Sequence, residues 1–229
     1  MSALPVGEVP AREVADPPRR KRSRMTGPQR REQLLDVGRS LFAERGFDAT
    51  SVEEVAHRAD VSKPVVYAHF GGKEGLYGAV VEREMTRLLQ MINDALSGGH
   101  PRELLEQAAR AFLDYVEQCT DGFRILVKGS GVGSATGTLT TLLDQVAARV
   151  EEILGRGFTA RAYDQTLAPM YAQMLVGMVA FTGQWWLDVR TPGRDDVVAH
   201  VVNLAWNGLS RLDSQPKLAN DENATTESA

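Results

Sequence analysis

The sequence has few of the features that mark a secreted or membrane-bound protein. Its 229 residues include a single cysteine, Cys119, so the chain cannot form an internal disulfide, which is typical of a reducing compartment. It has no run of about 18 uninterrupted apolar residues, which argues against a membrane span. The N-terminus lacks the charged-then-apolar pattern of a secretory signal. Together these absences predict a cytoplasmic protein with no membrane partner.

Patterns that would indicate an enzyme are also missing. The 4 histidines are not spaced as metal ligands, and Cys119 has no base near it in sequence. The glycine-rich segment of residues 129–137 lacks the Gly-Lys-Ser/Thr ending of a Walker loop and follows no predicted strand. The sequence therefore predicts no catalytic residue, no metal site and no cofactor.

Positive charge is concentrated near one end of an acidic chain. The net charge is −4, yet residues 19–73 hold 12 Lys and Arg against 7 Asp and Glu. Residues 1–25 have no helical or strand period, and we interpret them as a disordered basic arm. The arm contacts the DNA backbone or enters the minor groove; alternatively, it is a solvated charge run with only non-specific attraction.

The stretch TSVEEVAHRADVSKPVVYAHFGGK, which ends at Lys73, predicts two short helices joined by a tight turn. Ser51 is the expected cap of the first helix, and Glu54 completes a capping box. Asp60 tolerates the left-handed backbone angles that the turn needs. Ser62 is the expected cap of the second helix. Helix, turn and helix is the form of a DNA-reading unit.

Many residues in and around this stretch follow one known pattern in order. They are Leu41, Phe42, Gly46, Phe47, Thr50, Ser51, Val52, Val55, Ala56, Val61, Ser62, Lys63, Val66, Tyr67, His69, Phe70, Lys73, Glu74, Gly75 and Leu76. In these residues the chain resembles the DNA-binding domain of the TetR family of bacterial transcriptional regulators. It departs at Asp60, where the family usually has glycine, and at Pro64, where it often has glycine.

The predicted fold is all-α. A three-helix helix-turn-helix DNA-binding domain (residues 26–72) precedes a larger helical ligand-binding and dimerisation domain (residues 73–212) and a disordered tail (residues 213–229). Apolar periodicity predicts the remaining helices, one of them opening at Pro101. The others span residues 26–45, 73–96, about 121–128, 139–156, about 162–187 and 194–212.

The second short helix is expected to present its N-terminal residues to the major groove. Lys63 can donate to phosphate or guanine, whereas Val65 offers only an apolar contact, for example to a thymine methyl. Tyr67 and His69 are expected to bind phosphate, as matching TetR-family positions commonly do; alternatively they are a core aromatic and a helix-end residue. Because this helix holds no Arg, Asn or Gln, we hypothesise that discrimination relies on apolar contacts, the arm and DNA shape. The predicted DNA-binding residues are Arg30, Thr50, Ser51, Ser62, Lys63, Pro64, Val65, Tyr67, His69 and Lys73.

Two apolar sets in the C-terminal half each have two interpretations. Met and aromatic side chains can line a cavity for a small apolar ligand, as the TetR resemblance implies, or form ordinary core. Small and branched residues on the last two helices can form a four-helix dimer interface or be buried within one subunit. The predicted pocket residues are Phe112, Tyr115, Phe123, Met170, Tyr171, Met174, Met178, Phe181 and Trp185. The predicted interface residues are Gly177, Gly183, Val197, Val201, Leu204 and Gly208.

The predicted function is a sequence-specific, homodimeric DNA-binding regulator, namely a repressor released from a palindromic operator by a small apolar ligand. Its expected partners are double-stranded operator DNA, a second copy of the chain and that ligand. One alternative is a DNA-binding regulator or architectural protein without a ligand. Another is a small-molecule-binding helical protein or enzyme whose basic N-terminus is incidental.

Overall fold

The computed structural model describes residues 25–129 and 139–218. The basic arm up to residue 24, most of the glycine-rich segment and the tail beyond residue 218 lie outside the described residues. The predictions for those three segments therefore stay predictions.

The described residues form nine α-helices and one short 3₁₀ turn, with no strand among them, which confirms the all-α prediction. The helices are α1 (Gly27–Arg45), α2 (Val52–Arg58), α3 (Lys63–Phe70), α4 (Lys73–Ala95), α5 (Pro101–Gln118), α6 (Thr120–Lys128), α7 (Leu139–Ala160), α8 (Ala168–Val189) and α9 (Arg194–Ser210). Helix α7 continues four residues beyond its predicted end, and α8 begins later than predicted because the 3₁₀ turn Gln165–Leu167 precedes it.

Three aromatic rings fasten the N-terminal helices to the start of α4. Phe42 of α1 and Phe47 of the following turn meet the ring of Tyr77 edge-on, with centroids 5.0 and 5.1 Å away. Leu34 and Val66, which are fully buried, continue the same core into α1 and α3. Such edge-to-face contacts stabilise beyond the area they bury, so α4 is packed firmly against the first three helices at this end.

The backbone of the turn between α2 and α3 is as predicted, but the side-chain contacts that cap the two helices differ in part from the prediction. Asp60 has a φ of 53°, which confirms the left-handed turn. Ser51 caps α2 by accepting a hydrogen bond from the Glu54 amide at 3.2 Å. The predicted capping box is wrong, because the Glu54 carboxylate instead pairs with Arg45 at 2.7 Å. Ser62 occupies the N-cap position of α3, but its side chain makes no capping bond.

In the body, α5 contacts α4, α6, α8 and α9, while α7 packs mainly against α8 and also contacts α4. Helix α4 runs from the N-terminal bundle into this body, and α6 packs against α1, α4 and α5. Helices α4 and α6 are therefore the elements through which the body meets α1. None of the described helices is both long and apolar enough to cross a membrane.

Candidate nucleic-acid interface and body cavity

The N-terminus of α3 is an exposed surface. Lys63 and Pro64 are exposed, while Val65 is half-buried against the core of the bundle. The Lys63 ammonium contacts the carboxylate of Glu53 on α2. This hydrogen bond from Lys63 holds the pKa of the Glu53 carboxyl below its usual range. The ammonium of Lys63 is thus already engaged with an anion on the same surface.

The aromatic groups at the other end of α3 lie partly in solvent. Tyr67 is 53% exposed, so the alternative of a core aromatic is wrong for this residue. His69 is half-buried, with its ring 6.1 Å from that of Phe70. Their phosphate contacts stay predictions, and the exposed Tyr67 side chain is accessible for such a contact.

The side chains of Thr50 and Lys73, two of the predicted DNA-binding residues, make contacts inside the bundle. Thr50 is 2% exposed; its hydroxyl donates to the Gly46 carbonyl at 2.8 Å, and its amide donates to the Phe47 carbonyl at 3.2 Å. The Lys73 ammonium donates to the Phe47 carbonyl at 3.0 Å and lies 4.2 Å from the centroid of that ring. The prediction for both residues concerned their backbone amides at helix starts. The Thr50 amide is engaged within the bundle, and the phosphate contact of the Lys73 backbone stays a prediction.

The remaining predicted contacts are accessible to different extents. Ser51 and Ser62 are exposed at the starts of α2 and α3. Arg30 is half-buried and donates to the side chain of Gln33. The sequence did not predict the contact between Glu53 and Lys63. The position of Glu53 in the first turn of α2 could have indicated a carboxylate near the expected phosphate.

A cavity of about 110 Å³ lies in the body between α4, α5, α7, α8 and α9. Every residue that lines it is apolar, and Trp206 is the largest of them. The lining includes Ile92, Leu96, Leu104, Ala108, Phe112, Val146, Val150, Val176, Val179 and Leu209. The cavity can therefore accept an apolar group and offers no partner for a buried charge.

The cavity wall differs from the predicted pocket. Of the nine predicted residues, Phe112 alone is on the described lining. Tyr115 and Phe123 are fully buried beside it, and Tyr171 and Met178 pack elsewhere in the body. Four others are exposed, by 44, 56, 71 and 51% respectively: Met170, Met174, Phe181 and Trp185. The reason is that α8 is apolar on two faces. Its buried face carries Val176, Ala180, Gly183 and Trp186, and the exposed large residues lie on the other face.

The predicted dimer residues divide in the same way. Gly183, Val197 and Val201 are buried within the subunit, as the alternative interpretation held. Leu204 is 68% exposed, and a Cβ at Gly208 would meet no atom within 4 Å. A Cβ at Gly177 likewise meets no atom within 4 Å. The exposed large residues of α8 were thus assigned to the pocket when they belong to an outer face.

No group of three or more His, Cys, Asp or Glu side chains in the described ranges could hold a metal ion.

Comparison with known proteins identifies the family. The sequence model described as "Bacterial regulatory proteins, tetR family" matches residues 34–80, and that described as "Tetracyclin repressor-like, C-terminal domain" matches residues 101–208. The chain is 33% identical over 199 residues to the HTH-type transcriptional activator FasR of Mycolicibacterium smegmatis, covering 84% of this chain and 89% of that protein. This chain belongs to the TetR family. It is a DNA-binding transcriptional regulator and not an enzyme.

A further relative is named a repressor, and two solved TetR-type structures share the fold. The HTH-type transcriptional repressor Rv3405c of Mycobacterium tuberculosis is 36% identical over 89 residues, which cover 35% of this chain and 45% of that protein. A TetR-like regulator from Rhodococcus sp. RHA1 superposes with a TM-score of 0.64 at 25% identity, covering 82% of this chain and 99% of that chain. The TetR-family regulator PfmR from Thermus thermophilus superposes with a TM-score of 0.63 at 26% identity, covering 78% of this chain and 99% of that chain.

Proposed function

We propose that this TetR-family protein is a homodimeric repressor that binds a palindromic operator through α3 and is released when a small, uncharged apolar molecule enters the body cavity. The observation that carries the proposal is a wholly apolar cavity whose wall includes Ile92 and Leu96, at the far end of the helix that begins beside the DNA-binding bundle. A ligand there contacts the connector α4 directly.

The DNA side of the proposal rests on the exposed residues of α2 and α3. Ser51, Ser62, Lys63, Pro64 and Tyr67 lie on accessible surface at the helix-turn-helix unit. Lys63 supplies a donor for phosphate or guanine, and the exposed helix starts supply backbone amides. Operator preference then comes from few base contacts, with DNA shape contributing the rest.

The dimer is supported by the outer face of α8 and α9. Met174, Phe181 and Trp185 repeat at helical spacing on α8 and are each more than half exposed; Leu204 of α9 is 68% exposed. An apolar patch of this kind marks an interaction surface. Pairing α8 and α9 of two copies covers it with a four-helix bundle and gives the two recognition helices that half-sites about 34–36 Å apart require.

The chemistry of the ligand follows from the cavity. Its volume of about 110 Å³ is of the order of the ~150 Å³ apolar cavity that holds benzene in an engineered protein. A carboxylate or amine placed there would be buried without a partner, which costs several kcal/mol, about 2–7 even for a neutral polar group. We therefore propose a small, neutral apolar molecule.

The specific alternative to a repressor is a transcriptional activator. FasR, which matches over most of its length, is named an activator, whereas Rv3405c is named a repressor. An activator with the same fold would bind its operator and raise transcription. The ligand-free alternative, a constitutive DNA-binding regulator, would show no response to cavity occupation at all.

The test is fluorescence anisotropy with the protein's own upstream DNA, comparing the wild type with Lys63→Ala. We expect a specific complex that Lys63→Ala weakens and that 1-hexanol weakens, while hexanoate, which has the same chain with a charged head, does not. Ala108→Leu, which fills the cavity, is the control that should remove the response to hexanol. Binding that is sequence-blind and unaffected by Lys63→Ala would contradict the DNA-reading role of α3. In vitro transcription from the bound promoter distinguishes repressor from activator.

A further inference from the structure

A buried carboxylate lies where the DNA-binding bundle meets the body. Glu84 of α4 is 1% exposed and is the one charged residue in the described ranges that is classed as buried. Its Oε1 lies 3.5 Å from Nη1 of Arg39 on α1 and 3.3 Å from Nη2 of Arg83. Its Oε2 accepts a hydrogen bond of 2.9 Å from the Tyr115 hydroxyl of α5. One side chain therefore joins three helices.

The fourth helix at this junction approaches through a glycine. A Cβ built at Gly122 of α6 would lie 2.3 Å from Oε2 of Glu84 and 2.7 Å from the Tyr115 oxygen. Side chains essentially never come so close to a neighbouring atom, so α6 covers the carboxylate only because residue 122 has no side chain. The four helices fit together around the Glu84 carboxyl group.

The hydroxyl of Tyr115 is held as a donor. Burial, followed by the neighbouring Glu84 carboxylate, raises the pKa of the Tyr115 phenol far above its usual range. The phenol thus stays protonated at any physiological pH and keeps its proton on the Glu84 side. A buried carboxylate that loses such partners is strongly destabilised, because water cannot replace them.

The same junction is joined to the wall of the cavity by edge-to-face contacts between aromatic rings. Phe112 lines the cavity, and its ring meets that of Phe123 on α6 edge-on at 5.5 Å. The Phe123 ring in turn lies edge-on to Tyr115, with centroids 6.5 Å apart. On its other side Phe112 packs directly against the backbone of α8, since a Cβ at Gly183 would lie 2.3 Å from Cε1 of Phe112. A group that displaces Phe112 must therefore move it against α6, not towards α8.

Surface pairs add to the α1 contact but do not replace it. Arg83 also reaches Glu32 at 3.2 Å and Asp36 at 3.1 Å on α1, yet these two carboxylates are 62 and 60% exposed. Exposed pairs contribute little to stability because water screens them. The buried Glu84 carboxylate is the contact that penalises a change in the position of α1 relative to α5.

We propose that Glu84 is a positioning residue that couples occupation of the body cavity to the DNA-binding bundle, through Tyr115 and Phe123 on the body side and Arg39 on the α1 side. The inference rests on the proposed function, since it needs a cavity ligand that alters operator affinity. Displacement of Phe112 shifts α6 and α5, and Glu84 passes the shift to α1 because its carboxylate cannot remain buried without its partners. Glu84 itself touches neither DNA nor ligand.

The test is a double-substitution cycle that needs no natural ligand. Ala108→Leu serves as a permanent occupant of the cavity, and 1-hexanol as a reversible one. Operator affinity is measured for the full-length protein with and without Ala108→Leu, in the wild-type, Glu84→Gln and Glu82→Gln backgrounds. Glu82→Gln is the matched control, because Glu82 is exposed on the same helix and loses the same charge. Thermal unfolding of each variant measures stability separately.

In the wild-type and Glu82→Gln backgrounds, we expect Ala108→Leu and hexanol to change operator affinity by about fivefold or more, the usual size of an allosteric coupling. In the Glu84→Gln background the change should fall below about twofold, even though Gln fits the same space. An undiminished change there overturns the coupling role of Glu84 and leaves the proposed function intact. No change in the wild type, with operator binding intact and still dependent on Lys63, overturns both the ligand proposal and this inference. If Glu84→Gln does not fold, Tyr115→Phe, which removes only the donor, takes its place with the same expected outcomes.

Discussion

The ammonium of Lys63 at the start of α3 contacts the carboxylate of Glu53 on α2, at the surface proposed to meet DNA. The two side chains are 52 and 57% exposed, so the pair contributes little to folding. Its effect is electrostatic, because Lys63 is the single Lys or Arg of α3 and Glu53 neutralises it. A phosphate must compete with Glu53 for that ammonium.

Glu53→Gln should therefore raise the affinity for non-specific duplex DNA. We expect an increase of about twofold to fivefold, because the phosphate no longer competes with a carboxylate of comparable attraction. Lys63→Ala should lower the slope of log affinity against log salt by about 0.9, the loss of one phosphate contact. Anisotropy titrations over a range of salt concentrations measure both effects.

The matched control is Glu44→Gln, which removes the same charge from the Glu44–Arg58 pair of 3.0 Å. It should alter affinity less than Glu53→Gln does, and Glu53→Gln should have no effect once Lys63 is Ala. An equal gain from both carboxylates would mean that only net charge matters.

Lys73 is expected to stabilise the fold, whatever it contributes to DNA binding. Its ammonium bonds the Phe47 carbonyl and lies over the Phe47 ring. Lys73→Met keeps most of the side-chain length but loses both contacts, so we expect the free energy of unfolding to fall by about 1–2 kcal/mol. Urea denaturation measures this. The control is Lys128→Met on the exposed end of α6, which should have almost no effect.

The sequence could predict what depends on period and on local turn chemistry, but not how a helix with two apolar faces is oriented. Local patterns predict the left-handed Asp60, the N-cap Ser51 and the helix that begins at Lys73, and all three are found where expected. Helix α8 carries apolar residues on two faces, and no local rule says which face packs inward. Size suggested Phe181 and Trp185, whereas the buried face carries Trp186 and also Gly183, which allows Phe112 of α5 to approach closely.

The sequence also could not predict which charged side chains make contacts inside the fold. Glu84 follows Arg83 in an ordinary amphipathic helix, and charged residues of that kind are usually solvated. It is buried because Arg39 and Tyr115, distant in sequence, supply its partners. Lys73 likewise depends on a partner that is distant in sequence, since its ammonium donates to the carbonyl of Phe47, 26 residues earlier.

Gly75 is a position where the end of α3 meets the start of α4. A Cβ there would lie 1.9 Å from the carbonyl oxygen of Phe70, which is backbone and cannot swing aside. Gly75→Ala should therefore lower the free energy of unfolding by about 1–3 kcal/mol and weaken operator binding, because α3 must move. Gly78→Ala on the same helix meets no atom within 4 Å and should stabilise by about 0.5–1 kcal/mol. Urea denaturation and anisotropy of the two variants test the contrast, and equal stability of both would contradict the close approach.

The single cysteine should report on the opening of the body. Burial raises the pKa of the Cys119 thiol, so at pH 8 the thiolate that reacts with disulfide reagents is scarce as well as shielded. We expect labelling by an aromatic disulfide reagent to be slow in the native protein and to become fast in urea at the unfolding midpoint. Raising the pH should speed native labelling only above the ordinary thiol range. Rapid labelling of the native protein at pH 8 would show that the α5–α6 corner opens readily.

Charge placed on the outer face of α8 should separate the subunits. Phe181 is 71% exposed at the middle of this face, and a carboxylate there would be buried against an apolar partner surface on association. We expect Phe181→Glu to sediment as a monomer at micromolar concentration and to lose operator affinity, because a single α3 reaches one half-site. Leu218→Glu, a leucine 76% exposed outside α8 and α9, is the control and should remain a dimer. Lys63→Ala should also remain a dimer while losing the operator, which separates assembly from DNA contact. A Phe181→Glu protein that still sediments as a dimer would place the subunit interface on another surface.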